Sequence, residues 1–125
     1  MSSPELQQTV EIATPPQFPK GMEGVWSPEH LFTAAVSSCL MTTFLAIAEN
    51  SKLEFTDFQC GSKGKLEQIE GKFQMTEVIL EPTVVIINEE DREKAERVLQ
   101  KSEANCLISN SVHSKITMIP NIVVG

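Results

Sequence analysis

Three cysteines, Cys39, Cys60 and Cys106, are the side chains of this sequence best suited to redox chemistry. Their number is odd and their spacing is wide, which makes a poor disulfide framework, and no C-x-x-C or Cys/His pattern suggests a zinc site. Such cysteine usage is typical of a reducing compartment, in which a disulfide is transient and chemical in purpose. The connected chemistry available to these thiols is attack by one and resolution by another.

Each thiol also has a structural interpretation, because a free cysteine often packs as a small hydrophobic residue, and Cys60 is assigned to that role. The reactive form is the thiolate, and apolar surroundings raise the pKa of a thiol. Cys39 lies in the middle of a predicted helix, where the dipole contributes little, whereas Cys106 lies near a helix C-terminus, where the dipole opposes ionisation. The sequence therefore favours Cys106 as the resolving thiol, and Cys39 as the attacking thiol if a cation stabilises its thiolate.

The element that must position Cys39 is a helix predicted over residues 27–50. It begins with a capping serine, a proline suited to the first position and an acidic residue that complements the dipole. Residues 31–48 contain no charge, so the helix is apolar nearly all round and is predicted to be buried. Its length approaches that of a membrane span, but its hydroxyl side chains and flanking glutamates favour the central helix of a soluble core.

Strand patterns lie on both sides of this helix. Residues 9–13 are a predicted strand within an extended, proline-rich N-terminal arm that covers residues 1–26. Residues 53–61 are another predicted strand, and residues 65–81 are a predicted hairpin that turns at Glu70 and Gly71. Pro82 is expected to interrupt the ladder, which resumes over residues 83–87.

A second helix, predicted to begin at an Asn88 cap, positions Cys106. Its apolar face at helical spacing consists of Ala95, Val98, Leu99, Ser102 and Cys106. Short strands at 115–118 and 122–124 follow, and the element order predicts a single α+β domain over residues 1–125 with an antiparallel sheet. A helix that is apolar on every side needs cover on every side, which this small sheet does not provide, so we expect a homodimer.

The overall composition limits the partners. The chain of 125 residues has a formal net charge of -7, which argues against nucleic acid or anionic lipid as a partner. Its first residues contain neither a basic start nor an apolar run, so we expect no signal peptide and a cytoplasmic location.

Two segments of the sequence resemble the OsmC/Ohr family, the osmotically inducible protein C and organic hydroperoxide reductase proteins. They are S-P-E-H-L-F-T-A-A-V-S-S-C at residues 27–39 and C-L-I-S-N-S at residues 106–111, and the similarity extends over residues 26–124. The resemblance implies an OsmC-like fold, an intertwined homodimer with its site at the subunit interface, and a thiol peroxidase that reduces organic hydroperoxides. It implies neither a metal nor an organic cofactor.

The resemblance also implies roles for individual residues. Cys39 matches the peroxidatic cysteine, whose thiolate attacks the distal peroxide oxygen, and Cys106 matches the resolving cysteine that forms a disulfide with it. A dithiol reductant of lipoyl or thioredoxin type then restores both thiols. Glu29 matches the family's active-site carboxylate, although an acid in a first helical turn also has a purely electrostatic role. Ten helical residues separate Glu29 from Cys39 by ~15 Å, so either the chain bends between them or the carboxylate meets the thiol of the other subunit.

The sequence departs from the family in its arginines. Peroxidatic members carry an arginine in an N-terminal hairpin, which pairs with the glutamate and stabilises the thiolate. Here the only arginines are Arg92 and Arg97 in the second helix, and the available substitute is Lys20, which lacks the planar fork. Because a charge-assisted contact contributes ~1.5–3 kcal/mol, its loss is expected to raise the pKa of the Cys39 thiol.

Some further residues have two interpretations. His30 and His113 are candidate bases or cations, or alternatively surface histidines. A candidate pocket for an apolar peroxide, whose members are alternatively core residues, consists of Trp26, Phe32, Met41 and Phe44. The leading hypothesis is therefore a thiol-dependent hydroperoxide reductase that protects against oxidative or osmotic stress. The alternatives are a non-enzymatic family member that binds a hydrophobic small molecule at the dimer interface, and a thiol redox sensor.

Overall fold

The computed structural model describes all residues, Met1–Gly125, and the chain forms two compact units, Met1–Phe32 and Thr33–Gly125. In chain order the elements are α1 (Pro28–Asn50), β1 (Phe55–Ile69), β2 (Lys72–Ile86), α2 (Arg92–Ala104), β3 (Lys115–Met118) and β4 (Asn121–Val124). Short 3-10 turns occupy Glu89–Asp91 and Ser109–Ser111. The predicted α+β class is confirmed, while the division into one domain stays a prediction.

The N-terminal unit is mostly irregular, so the strand predicted at residues 9–13 is wrong. Only a single bridge forms there, between Ile12 and Trp26, and the Ala13 amide donates to the Trp26 carbonyl at 2.8 Å. A nearby crossing of the chain is so close that a Cβ on Gly21 would collide with the carbonyl of Pro15. The prolines of this segment remove amide donors, which explains why a ladder does not extend from the bridge.

The start of α1 confirms the predicted serine cap and gives His30 a structural partner. The His30 amide donates to Ser27 Oγ at 3.1 Å, and the Ser27 amide donates back to His30 Nδ1 at 3.1 Å. Two amides that a helix start leaves unpaired are thereby satisfied reciprocally, as in a capping box, with histidine in the position usually held by glutamate or glutamine. The α1 helix then continues without a break to Asn50.

The sheet is built on a long β1–β2 hairpin. Its turn residues Glu70 and Gly71 have φ values of 51° and 80°, which are the positive values that a type I′ turn requires, so the predicted turn is confirmed. The expected interruption at Pro82 is wrong, because β2 runs through this residue. The reason lies on the other edge of β2, where β3 pairs up to Leu80 and β4 pairs from Thr83. The missing amide of Pro82 therefore faces the gap between these two strands.

The last two strands change the character of the sheet. Both β3 and β4 pair with β2 in the parallel sense, whereas β1 pairs with it in the antiparallel sense. The sheet is therefore mixed. The sequence analysis predicted an antiparallel sheet, and this part of the prediction is wrong for β3 and β4. Parallel pairing follows from the connection, because α2 lies between β2 and β3 and returns the chain to the same end of the sheet.

One face of α1, the apolar face of α2 and one face of the sheet enclose the hydrophobic core. The buried positions of α1 recur every three or four residues and are Thr33, Val36, Leu40, Phe44 and Ala48. On the opposite side Met41 is 39% exposed and Leu45 is 44% exposed. The single chain therefore covers one face of α1, as expected from one small sheet, and cover of the other side by a second subunit stays a prediction. By length and composition alone this helix also qualifies as a membrane span, a test that core helices pass as well.

The predicted face of α2 is confirmed, but the start of the helix is not a simple Asn88 cap. The four residues Ala95, Val98, Leu99 and Ser102 are buried. The Asn88 side chain makes no capping hydrogen bond, and a 3-10 turn at Glu89–Asp91 precedes the helix instead. Arg92 stabilises this start, because its Nε donates to Glu89 at 2.7 Å and its guanidinium also donates to the Ile122 carbonyl of β4 at 2.7 Å.

Candidate functional site

The structure brings Cys39 and Cys106 together. Cys39 lies in the middle of α1, and Cys106 follows the end of α2, whose apolar face it continues. Their thiols are within hydrogen-bonding range of each other, and both are free. Cys106 is fully buried, whereas Cys39 is partly exposed. Two thiols that are distant in the chain therefore form one site, in which Cys39 is partly exposed and Cys106 is covered.

The Cys39 thiol has a lowered pKa, although no cation is needed to produce it. Burial acts to raise this pKa, but hydrogen bonds from the Cys106 thiol, the Ile108 amide, the Thr43 hydroxyl and the Leu107 amide together outweigh it. The Thr43 hydroxyl belongs to the next turn of α1 and lies 4.0 Å from the sulfur. In the single chain, neutral donors rather than a cation therefore lower the pKa of Cys39.

The two backbone donors come from a tight turn that follows α2. The Asn110 amide donates to the Cys106 carbonyl at 3.0 Å, and the Asn110 side chain donates to the Ala104 carbonyl at 3.1 Å. Ser111 Oγ donates to the Leu107 carbonyl at 2.7 Å. These bonds satisfy carbonyl groups of the turn and hold it in shape, and the amides of Leu107 and Ile108 in this turn are the ones that act on the Cys39 sulfur.

The Cys106 thiol has the opposite tendency. Burial raises its pKa, and the neighbouring Cys39 raises it further, while the Ser109 hydroxyl and amide partly offset both effects. A thiol that stays protonated beside one that ionises more readily is able to donate its hydrogen to the thiolate. The asymmetry agrees with the assignment of Cys39 as the attacking sulfur and Cys106 as the resolving one.

The third cysteine takes no part in this pair. Cys60 lies on β1 opposite Pro82, and its thiol donates to the Gly61 carbonyl at 3.5 Å. Burial raises its pKa, as expected for a packing residue.

Of the charged residues that the sequence singled out, two lie in the N-terminal unit and two on α2. Glu29 lies in the N-terminal unit, in the first turn of α1, and α1 continues from there without a bend. Lys20 is exposed in the same unit with a φ of 65°, in the left-handed region. Arg92 is engaged with Glu89 and the β4 backbone, and Arg97 is exposed on α2.

The aromatic and histidine candidates differ in burial and in the elements to which they belong. Phe44 is fully buried and stacks on Phe58 with ring centroids 4.7 Å apart, so it belongs to the core, as its alternative interpretation holds. Met41 lies on the exposed side of α1. Trp26 and Phe32 lie in the N-terminal unit, where Trp26 makes an edge contact with the His30 ring at 6.1 Å. The remaining candidate, His113, is exposed.

Sequence reasoning missed the residues that surround the thiol pair. Thr43 was detectable, because residues four apart on a helix are neighbours. The amides of Leu107 and Ile108 could not be identified from the sequence, because every residue except proline has a backbone amide. No group of three or more His, Cys, Asp or Glu residues is arranged to hold a metal ion. The chemistry that this site supports with its own residues is therefore that of two thiols.

Comparison with known proteins identifies relatives in sequence and in fold. Residues 21–120 match the family model of OsmC-like proteins. The uncharacterised protein YmaD of Bacillus subtilis is 27% identical over 113 residues, which cover 86% of this chain and 75% of YmaD. The crystal structure of an OsmC-like protein of unknown function from Vibrio cholerae has a TM-score of 0.76 at 29% identity, with 86% of this chain and 73% of that one covered.

A second solved structure is similar to this chain in fold, and the name of its protein states a role. It is an organic hydroperoxide resistance protein of Legionella pneumophila, with a TM-score of 0.75, 22% identity and coverage of 94% of this chain and 82% of its own.

Proposed function

Because this chain belongs to the family of OsmC-like proteins, we propose that it is a thiol peroxidase that reduces organic hydroperoxides to alcohols. One observation carries the proposal: the partly exposed Cys39 thiol has a lowered pKa and lies beside the buried, more weakly acidic thiol of Cys106. This is the arrangement that a peroxidatic and a resolving cysteine require, since the thiolate is the nucleophile. The fold similarity to an organic hydroperoxide resistance protein points in the same direction.

The proposed reaction uses both thiols of the pair. The Cys39 thiolate attacks the distal oxygen of the hydroperoxide, the O–O bond breaks, and the alkoxide leaves as an alcohol after it takes a proton. Cys39 is then a sulfenic acid. The Cys106 thiol attacks this sulfur, a disulfide forms, and the hydroxyl leaves as water. A dithiol reductant, lipoyl or thioredoxin-like, returns both residues to thiols.

The proposal includes a cytoplasmic homodimer. The exposed side of α1 carries Met41 and Leu45, and the far end of the β1–β2 hairpin exposes Ile69 and Phe73. A small protein that exposes several large apolar side chains is expected to cover them with another protein surface. The simplest partner is a second copy of the same chain. In such a dimer Glu29 is proposed to reach Cys39 of the second subunit, because it does not reach the thiol of its own helix by a bend.

The test is turnover of cumene hydroperoxide with a dithiol present. We expect the wild type to consume peroxide, Cys39→Ser and Cys106→Ser to lose turnover, and Cys60→Ser to retain it. Turnover that survives in Cys39→Ser would contradict the proposal.

The same assay separates two other functions. Slow stoichiometric oxidation of the wild-type thiols without turnover would favour a redox sensor. A sensor needs only a thiol pair that oxidises reversibly, and it does not need a cation to speed the reaction. Thiols that do not change at all would favour a non-enzymatic protein that binds a hydrophobic small molecule.

A further inference from the structure

The hydroxyl of Ser109 is buried and has no nitrogen or oxygen partner, and the one group on which it is shown to act is the Cys106 thiol. Burying a hydroxyl without a partner is unfavourable, and native structures rarely keep such a group without a reason. The reaction proposed above does not use it, because the donors to Cys39 are other groups.

The position of Ser109 relates it to Cys106 rather than to Cys39. It lies three residues after Cys106 in a turn closed by the bond from the Asn110 amide to the Cys106 carbonyl, 3.0 Å long. Residues three apart in such a turn lie on the same side of it. Both the hydroxyl and the amide of Ser109 are close enough to Cys106 to stabilise a negative charge on its sulfur.

We propose that Ser109 acts in the reductive half of the cycle, where its hydroxyl donates a hydrogen bond to the Cys106 sulfur as that sulfur leaves the disulfide as a thiolate. The inference rests on the proposed function, since it assumes a Cys39–Cys106 disulfide and a dithiol that reduces it. It assigns to the buried hydroxyl a role in stabilising the negative charge that develops on Cys106 during reduction.

Access decides which sulfur the reductant attacks. Cys106 is fully buried, whereas Cys39 is partly exposed. A thiolate of the dithiol therefore attacks the Cys39 sulfur and forms a mixed disulfide, while the bond to Cys106 breaks and its electron pair stays on the Cys106 sulfur. Cys106 then takes a proton, and the second thiol of the reductant displaces Cys39, which leaves the enzyme reduced and the dithiol oxidised.

This direction of attack creates the need for a donor. Thiol–disulfide exchange is faster when the leaving thiol has a low pKa, but burial gives Cys106 a raised one. The accessible direction therefore has the poorer leaving group. A hydroxyl held next to Cys106 lowers the barrier by stabilising the charge that develops on this sulfur, without making Cys106 acidic enough to replace Cys39 as the nucleophile.

The experiment measures reduction apart from peroxide chemistry. The Cys39–Cys106 disulfide is formed with diamide, and its reduction by dihydrolipoic acid is followed by stopped flow as a function of pH. We expect Ser109→Ala to slow reduction about tenfold, the size of one hydrogen bond to a charged group, without slowing alkylation of Cys39 in the reduced protein. Ser109→Thr, which keeps a hydroxyl, should be close to wild type.

The control variant is Ser111→Ala, a serine of the same turn whose hydroxyl bonds a backbone carbonyl instead. Thermal melts establish that all variants fold. Glutathione, a monothiol, traps the mixed disulfide, and peptide mapping should find it on Cys39.

Three results would overturn the inference: reduction of Ser109→Ala at the wild-type rate, a mixed disulfide on Cys106, or no disulfide after diamide. Peroxide consumption is measured separately on the wild type. If the wild type consumes no peroxide but reduction of its disulfide still depends on Ser109, the proposed function is wrong and this inference stands.

Discussion

At the scale of the residue, the distinctive property of this site is a thiol whose pKa is lowered by neutral donors. Family resemblance predicted a dependence on a guanidinium, and the chain has no arginine outside α2. The donors to Cys39 are instead the Cys106 thiol, the Ile108 amide, the Thr43 hydroxyl and the Leu107 amide. Hydrogen bonds of this kind act at short range, so the acidity of Cys39 depends on the exact position of the turn after α2 more than on ionic strength.

The Thr43 contribution is testable by removing one hydroxyl. The lowered pKa means that the rate of Cys39 alkylation by iodoacetamide rises with pH around a midpoint below that of an ordinary cysteine. In Thr43→Val the thiolate loses a donor, so the midpoint should move to higher pH and the rate at neutral pH should fall about threefold. Thr43→Ser should restore the wild-type profile.

Thr42→Val is the matched control, because the hydroxyl of Thr42 donates to the Cys39 carbonyl at 3.1 Å and not to the sulfur. An equal shift in both valine variants would show that the effect comes from the helix backbone and not from the hydrogen bond.

At the scale of the element, α1 depends on its first turn. The reciprocal bonds between Ser27 and His30 satisfy two amides at a buried start, and Ser27 is itself fully buried. We expect Ser27→Ala to lower the free energy of unfolding in urea by about 1 kcal/mol. Ser38→Ala removes an exposed hydroxyl from the middle of the same helix and should change it much less. Equal losses in the two variants would exclude a capping role for Ser27.

The packing of α1 on the sheet sets a second prediction. A Cβ on Gly64 of β1 would lie 2.5 Å from Thr33 Oγ1 of α1 and would also collide with the end of the Met75 side chain. Met75 is able to move, but Thr33 is held on the helix, so Gly64→Ala should destabilise the protein by about 1–3 kcal/mol.

Gly61→Ala provides the comparison within the same strand, because its nearest new contact is 3.9 Å away. Thermal or urea unfolding of both variants measures the difference, and similar stabilities would mean that α1 does not approach β1 as closely as described.

At the scale of the whole molecule, the surface that remains exposed is as informative as the core. The side of α1 opposite the core, represented by Met41 and Leu45, is apolar and has no cover within the chain. We expect wild-type protein to sediment as a dimer and Leu45→Glu to sediment as a monomer, because a charge in an apolar interface is costly to desolvate. Arg97→Glu, an exposed substitution on α2, should stay dimeric. A monomeric wild type would remove the dimer from the proposal.

Features that depend on neighbours in the chain were predictable from the sequence. The serine cap of α1, the apolar stripe of α2 from Ala95 to Ser102 and the turn at Glu70 and Gly71 are all set by local backbone preferences and by side-chain periodicity. The pairing of Cys39 with Cys106 was predictable as well, although from a resemblance of motifs and not from spacing.

The tertiary structure decided what depends on distant partners. Pro82 stays within β2 because the opposite edge of that strand is broken there. The lowered pKa of Cys39 was decided in the same way, since the amides that contribute to it belong to a turn about seventy residues away in the chain. Any residue except proline supplies such an amide, so the sequence does not indicate which ones act. Sequence alone determined which sulfur atoms the protein has and which helices position Cys39 and Cys106; only folding placed the donors that lower the pKa of Cys39.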